Sequence, residues 1–272
     1  MKYFLDTEFL EGTQKKRLFG FPYGNTPNTI DLISIGIVAE DGREYYAISK
    51  DFNLKEAWNR YQLDVNKKHP LGPKYLKNYW IRNNVLLPIF KELCKKSFND
   101  KKYVKEHLGT VLSKFSYSHL KSLINWYGKT NKEIANDIVV FVYGESNNLE
   151  GLSPLQEAQK YKPNNHIEKP EFYAYYADYD WVVFCWLFGT MMDLPKGFPM
   201  YCRDLKQMID EECDYINSLA QEKSPGCPLV THKSMKENHP NYPKQDESKQ
   251  HNALEDARWD FELYKFLEKI LQ

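Results

Sequence analysis

The chain has no net charge to speak for it: 37 Lys and Arg balance 37 Asp and Glu over 272 residues. No global field collects a polyanion, which weighs against a non-specific coat for nucleic acid. It weighs less against an acidic catalytic centre offset by basic contacts elsewhere. Cysteine is scarce and unpatterned, with five residues, an odd number, and no C-x-x-C pair. That excludes a disulfide framework and reads as a reducing compartment, with thiols serving as small apolar groups. Cys227, His232 and His239 fit no familiar zinc spacing. Long apolar runs are missing too; the longest, Trp181 to Phe188, is far too short to span a bilayer. The first residues lack the basic-then-apolar layout of a leader, and there are no repeats or low-complexity tracts. A soluble cytoplasmic protein without a membrane partner is the expectation.

Aromatics, by contrast, are plentiful, with 20 Tyr, 15 Phe and 6 Trp, and the length suffices for a substantial core. Charge is uneven. Lys91 to Lys132 holds ten lysines against Glu92, Asp100 and Glu106, a pattern open to two readings, a solvated helical surface or a track for phosphates.

The run Tyr3-Phe4-Leu5-Asp6-Thr7-Glu8-Phe9 reads as a buried strand. A polar loop with Gly and Pro follows from about 11 to 29. Ile30 to Ala39 is a strand covered on both faces, and Asp41-Gly42 turns it into a partner strand from Glu44 to Ser49. Helical periodicity marks 79–95, a Lys-rich stretch to about 127, and 131–143. A short aromatic strand, Phe172 to Tyr176, precedes the apolar run at 181–188; 200–205 is a further short strand, and 206–220 a helix. Residues 222–250 read as loop, and a helix from Asn252 to Leu271 closes the chain. Hairpin strands followed by alternating helices and strands indicate an α/β fold with a mixed sheet, in one domain spanning 1–272 with insertions near 11–29, 95–128 and 144–170.

Chemistry concentrates at the two ends. Asp6 and Glu8 share one face of the first strand, since side chains alternate. Two carboxylates side by side in a core repel each other and lose hydration, which is costly without a cation between them. D-x-E alone is weak, because Asp210/Glu212 and Asp260/Glu262 match it as well; only Asp6/Glu8 lies on an apolar strand. His251-Asn252-Ala253-Leu254-Glu255-Asp256 is more informative. Five helical residues turn through about 500°, so one rigid helix cannot aim both His251 and Asp256 at a single point. Asn252 with Glu255 resembles a capping box, which leaves His251 in the preceding loop and Asp256 in the helix. Asp178 and Asp180 precede an apolar helix; one is expected as its N-cap, and the other is free to join Asp6, Glu8 and Asp256.

The order D-x-E, Y-D before a helix, then H-x-A-x-x-D resembles the DEDDh 3′–5′ exonuclease superfamily. More closely, F-L-D-T-E-F (4–9), I-D-L-I-S-I-G-I-V-A-E-D-G-R-E-Y-Y-A (30–47), W-I-R-N-N-V-L (80–86), I-A-N-D-I-V-V-F-V (134–142), Y-A-Y-Y-A-D-Y-D-W-V (173–182) and H-N-A-L-E-D-A (251–257) look like the small bacterial, mycobacterial-type 3′–5′ exoribonuclease family. These segments cover about a third of the chain. The resemblance implies an RNase H-like mixed sheet, antiparallel hairpin strands followed by parallel ones, flanked by helices. It also implies the site residues Asp6, Glu8, Asp180, His251 and Asp256, and relatives suggest a homodimer.

The expected chemistry is phosphodiester hydrolysis at an RNA 3′ end, single-stranded or overhanging. Asp6, Glu8, Asp180 and Asp256 would bind two Mg²⁺ or Mn²⁺ ions, and His251 would act as general base. Phe9 and Leu10 are candidates to pack against the terminal base, and Lys15, Lys16 and Arg17 to hold phosphates. The rivals are a 3′–5′ DNA exonuclease on the same site, as no residue read here recognises a 2′-hydroxyl, and a catalytically silent nucleic-acid-binding module.

Overall fold

The computed structural model describes residues 1–19, 21–68, 75–107, 114–144 and 169–270, with backbone alone at 17, 22 and 65–68. Along the chain come β1 (Lys2–Gly12), β2 (Lys15–Leu18), β3 (Phe21–Asn25), β4 (Thr29–Ala39), β5 (Glu44–Ile48), α1 (Leu54–Asn59), β6 (Gln62–Lys68) and β7 (Tyr75–Asn78). After a π-helical turn at Arg82–Leu86 follow α2 (Leu87–Asn99), α3 (Lys101–Glu106), α4 (Tyr117–Tyr127), α5 (Asn131–Tyr143) and β8 (Glu171–Ala174). The last elements are α6 (Ala177–Phe188), β9 (Arg203–Asp204), α7 (Leu205–Lys223), α8 (His232–Asn238) and α9 (Ala253–Ile270). Two compact units result, one of residues 1–7, 35–46 and 135–272, the other of 8–34 and 47–134.

One five-stranded sheet has the order β5-β4-β1-β8-β9. The tight turn at Gly42, whose φ of 87° a side chain would strain, makes β4 and β5 an antiparallel hairpin. β1 pairs in parallel with β8 (Tyr3 opposite Phe172), and β8 with β9 (Ala174 opposite Asp204). The mixed sheet flanked by helices is consistent with an RNase H-like fold.

In the first unit the pleat of β1 sorts its side chains between two cores. Tyr3 stacks on Phe172 and donates its hydroxyl to Val142 O at 3.1 Å, towards α5 and α6. Phe4, on the opposite face, stacks against Phe261 and packs on Tyr264 of α9. The apolar stripe of α9 (Ala253, Ala257, Leu263, Leu267) is wholly buried at helical spacing. Gly36 of β4 lets that helix come in: a methyl group there would lie 2.3 Å from Ala253 O. Gly36→Ala is therefore expected to lower stability by about 1–3 kcal/mol through overpacking. Displacing the first turn of α9 should also cut any activity of the site below at least tenfold; thermal melts and turnover together check this, and an unchanged melt would refute the close approach.

The second unit, taken by itself, packs α1, α2 and α4 around an aromatic cluster in which Phe115 meets Trp58 and Phe90. Arg82 lies over the rings of Trp58 and Tyr79. The lysines of α2 and α3 (Lys91, Lys95, Lys96, Lys101, Lys102, Lys105) are exposed. Two-stranded ribbons β2–β3 and β6–β7 complete it.

Several elements depart from the sequence reading. The 11–29 loop contains the β2–β3 ribbon, because K-K-R-L and F-P-Y-G-N pair antiparallel although the glycine and proline of the second run read as loop residues. Residues 222–250 include α8, which the Thr231–Ser234 capping box starts between prolines. The β6–β7 ribbon is a further element that the sequence periodicity does not predict. The 144–170 insertion lies, beyond Gly144 and before Lys169, outside the described residues. Among the described residues no helix is long and apolar enough to cross a membrane.

Candidate functional site

The parallel β1–β8 pair places two chain crossings side by side, and the site grows from their carboxyl ends. At the end of β8 the backbone turns at Tyr176, which holds a left-handed φ of 58°, and α6 begins. The expected N-cap is absent from that helix: neither Asp178 nor Asp180 caps it. The N–H groups of Tyr176 and Ala177 are instead received by Asp204, at 3.2 and 3.3 Å, from the end of β9. Capping from a distant strand releases both local aspartates. Asp178 is exposed, whereas Asp180 is buried. Its Oδ1 accepts the backbone N–H of Thr7 at 2.9 Å and the Thr7 hydroxyl at 2.6 Å. Thr7 is the residue between Asp6 and Glu8, so the Asp180 carboxylate is fastened to β1 at the D-x-E pair.

Asp6 is half-buried, with Oδ2 shielded from solvent. It shares the strand face of Phe4, the face that α9 covers. Lys2 reaches Glu268 at 3.2 Å and Phe4 reaches Tyr264 and Phe261, so α9 runs antiparallel to β1. One pleat further on, Asp6 falls towards the turns of α9 that hold Asp256 and Asp260. Glu8 is two residues on, on that same face of the strand and only 9% exposed; it begins the second unit.

The terminal motif folds as its spacing requires. Asn252 Oδ1 caps α9 by accepting from Leu254 and Glu255 N–H at 3.1 and 3.3 Å. His251 precedes the cap with a left-handed φ of 64°, and its N–H donates to Asp256 Oδ2 at 2.8 Å. Asp256 Oδ1 accepts from Gln245 Nε2 at 2.6 Å. A carboxylate in the second turn thus ties down the histidine loop, and a His251 ring nitrogen comes within 4.8 Å of an Asp256 carboxylate oxygen. The His251 imidazole is pushed below its ordinary pKa by burial, which keeps it neutral.

Two groups were missed. Asp260, one turn beyond Asp256, is 2% exposed and accepts Tyr175 N–H at 3.2 Å. Burial, then the charges of Asp180 and Asp256, push its carboxyl well above the usual range. Its position on the apolar stripe of α9 was the available signal. Gln245 sits in an irregular segment, and nothing in its local sequence marks it. Burial also pushes Asp180 up to about 7, against the Thr7 hydrogen bonds, and Asp256 up to about 6, against the His251 and Gln245 bonds.

Of the substrate-contact candidates, Phe9 is half-buried, Leu10 is fully buried, and Lys15 and Lys16 are exposed on β2. The Arg17 side chain lies outside the described atoms. Trp181 belongs to the core, stacked on Phe184 at 4.9 Å and donating to Met200 O. Tyr179 is exposed.

No protein-family model matches the chain. It is 25% identical over 211 residues, 78% of its own length and 75% of theirs, to curated proteins named 3′–5′ exoribonuclease from two strains of Mycobacterium tuberculosis.

Proposed function

We propose that the chain is a metal-dependent 3′–5′ exoribonuclease of the DEDDh type. The observation that carries this is the double hydrogen bond from Thr7 to Asp180, which joins the carboxyl end of β8 to the D-x-E strand. The likeness to the mycobacterial exoribonucleases supports the choice of RNA and of polarity.

The donor set suits a hard divalent cation. It is all carboxylate oxygen, partly stripped of water, and the charges of Asp180 and Asp256 raise the cost of ionising the neighbouring Asp260. Asp6, Glu8, Asp180 and Asp256 are the proposed ligands of two Mg²⁺ or Mn²⁺ ions. Ions bound there supply charge neutralisation for the attacking and leaving oxygens of the phosphodiester.

Each protein group then has a defined task. Thr7 holds Asp180 in one rotamer, and Gln245 and the His251 N–H do the same for Asp256. The neutral His251 ring accepts a proton from the attacking water. The water oxygen bonds to phosphorus, the bond from phosphorus to the upstream 3′ oxygen breaks, and that oxygen takes a proton from solvent. The products are a 5′-mononucleotide and an RNA one residue shorter with a free 3′-hydroxyl.

A divalent-metal titration with matched 3′-labelled and 5′-labelled RNA tests this reading, with DNA of the same sequence alongside. The expected result is immediate release of labelled mononucleotide from the 3′ label, a ladder from the 5′ label, and no cleavage in excess EDTA. Cleavage that survives EDTA, or that begins at the 5′ end, would overturn the assignment. Faster cleavage of the DNA would move the substrate class.

A further inference from the structure

The β2–β3 ribbon combines cations with outward-facing aromatic side chains. Its residues 13–29 include Lys15, Lys16 and Arg17 and not one carboxylate, in a chain whose total charge is zero. They also include Phe19, Phe21 and Tyr23, which are 92%, 76% and 65% exposed, and Leu18, which is 59% exposed. Leu18 and Phe21 are direct cross-strand partners, so both stand on one face of the ribbon, and Lys16, opposite Gly24, follows Lys15 before a register shift. Phe19 sits at the tip with a left-handed φ of 49°. The root, in contrast, is pinned: Gln14 and Thr26 exchange backbone and hydroxyl hydrogen bonds at 2.8 and 2.9 Å, and Gln14 Nε2 donates to Asp31. An isolated two-stranded ribbon that turns its aromatics outward gains little for folding, and such a patch marks a binding surface.

We propose that this ribbon is a binding arm for single-stranded RNA, with bases stacked on Phe19, Phe21 and Tyr23 and phosphates paired with Lys15 and Lys16. Aromatic planes interleaved with cations, without acids, are the complement of a single strand, whose every base offers a π-face. The ribbon continues directly from β1, the strand bearing Asp6 and Glu8. Lys15 follows Glu8 by seven residues, at most about 23 Å of extended chain. That span is short enough for an RNA whose 3′ end lies at Glu8 to reach the arm with its upstream nucleotides. This placement rests on the proposed nuclease reading; the binding itself does not.

The test is the affinity of the full chain for a twelve-nucleotide RNA in EDTA, where no cleavage is expected, followed by kcat/KM in Mg²⁺ on that RNA and on a dinucleotide. The variant Phe19→Leu/Phe21→Leu/Tyr23→Leu keeps apolar bulk but removes the π-faces, and all three positions are exposed enough to leave folding intact. It should raise the dissociation constant at least tenfold and lower kcat/KM on the long RNA alone. Lys15→Gln/Lys16→Gln should reduce the slope of log affinity against log salt by about 1.4, or 0.7 for each phosphate released from its counterion. Unchanged affinity in both variants overturns the arm. So does a wild-type dimer in sedimentation that the variants dissociate without any change in RNA affinity, which would assign the ribbon to a second copy of the chain. Wild type that binds RNA through the ribbon but never cleaves it would defeat the nuclease reading and leave the arm standing.

Discussion

Asp180→Asn is expected to lower RNA turnover by at least about 10³-fold, or about 4 kcal/mol in the transition state, while making the metal-free protein more stable. Asparagine keeps a carbonyl oxygen where Asp180 Oδ1 accepts both Thr7 donors, so the junction between α6 and β1 survives. What disappears is a buried negative charge. Burial raises the folded pKa of Asp180 to about 7 from the ordinary carboxylate value. The folded chain therefore binds more protons than the unfolded chain across that window, and stability without a cation falls as pH rises through it. Removing the ionisable group lifts that penalty at neutral and higher pH. Melting at pH 8 in EDTA should rise by several degrees, and added Mg²⁺ should stabilise the wild type more than the variant. A variant that loses activity and melts lower in EDTA would mean that Asp180 is a structural acceptor and not a cation ligand.

His251→Ala is expected to cut turnover by about 10²–10⁴-fold, the usual range for losing a general base, with Mg²⁺ affinity nearly unchanged. The separation is possible because the group that fastens this loop to Asp256 is the backbone N–H of residue 251, at 2.8 Å, which any residue except proline supplies. Alanine does meet some strain at a φ of 64°. His251→Asn removes the same base with a residue that tolerates the left-handed region, so the two variants should lose turnover equally. Turnover restored in the asparagine variant alone would trace the effect to the backbone. Loss of Mg²⁺ affinity in both would make the histidine a ligand instead.

The legible parts of this chain were those in which local chemistry and tertiary placement agree. The β-branched run with Asp41-Gly42 was read as a hairpin and is one, since the turn and the alternation both act between neighbours. Asn252 as the cap of the last helix was likewise readable, and with it the position of His251 outside the helix. The N-terminus of α6 shows the opposite. One of the two aspartates in its first turn is the expected cap, yet the cap arrives from Asp204, which only the β8–β9 pairing brings near. That exchange is what frees Asp180 to meet Thr7. The D-x-E spacing of Asp260 carries no information by itself; its burial near Asp180 and Asp256 is a property of helix packing.

By itself the sequence determined the kinds of groups available, four carboxylates from three distant segments and a histidine beside a helix cap, and the periodicities that make strand or helix around them. Only the tertiary structure decided which of two aspartates turns inward, which buried acid joins Asp256 on α9, and that a bare glycine in β4 admits that helix to the sheet. The reason is range. Alternation and capping act over a few residues, whereas burial and the repulsion of like charges depend on which distant segments the sheet order sets side by side.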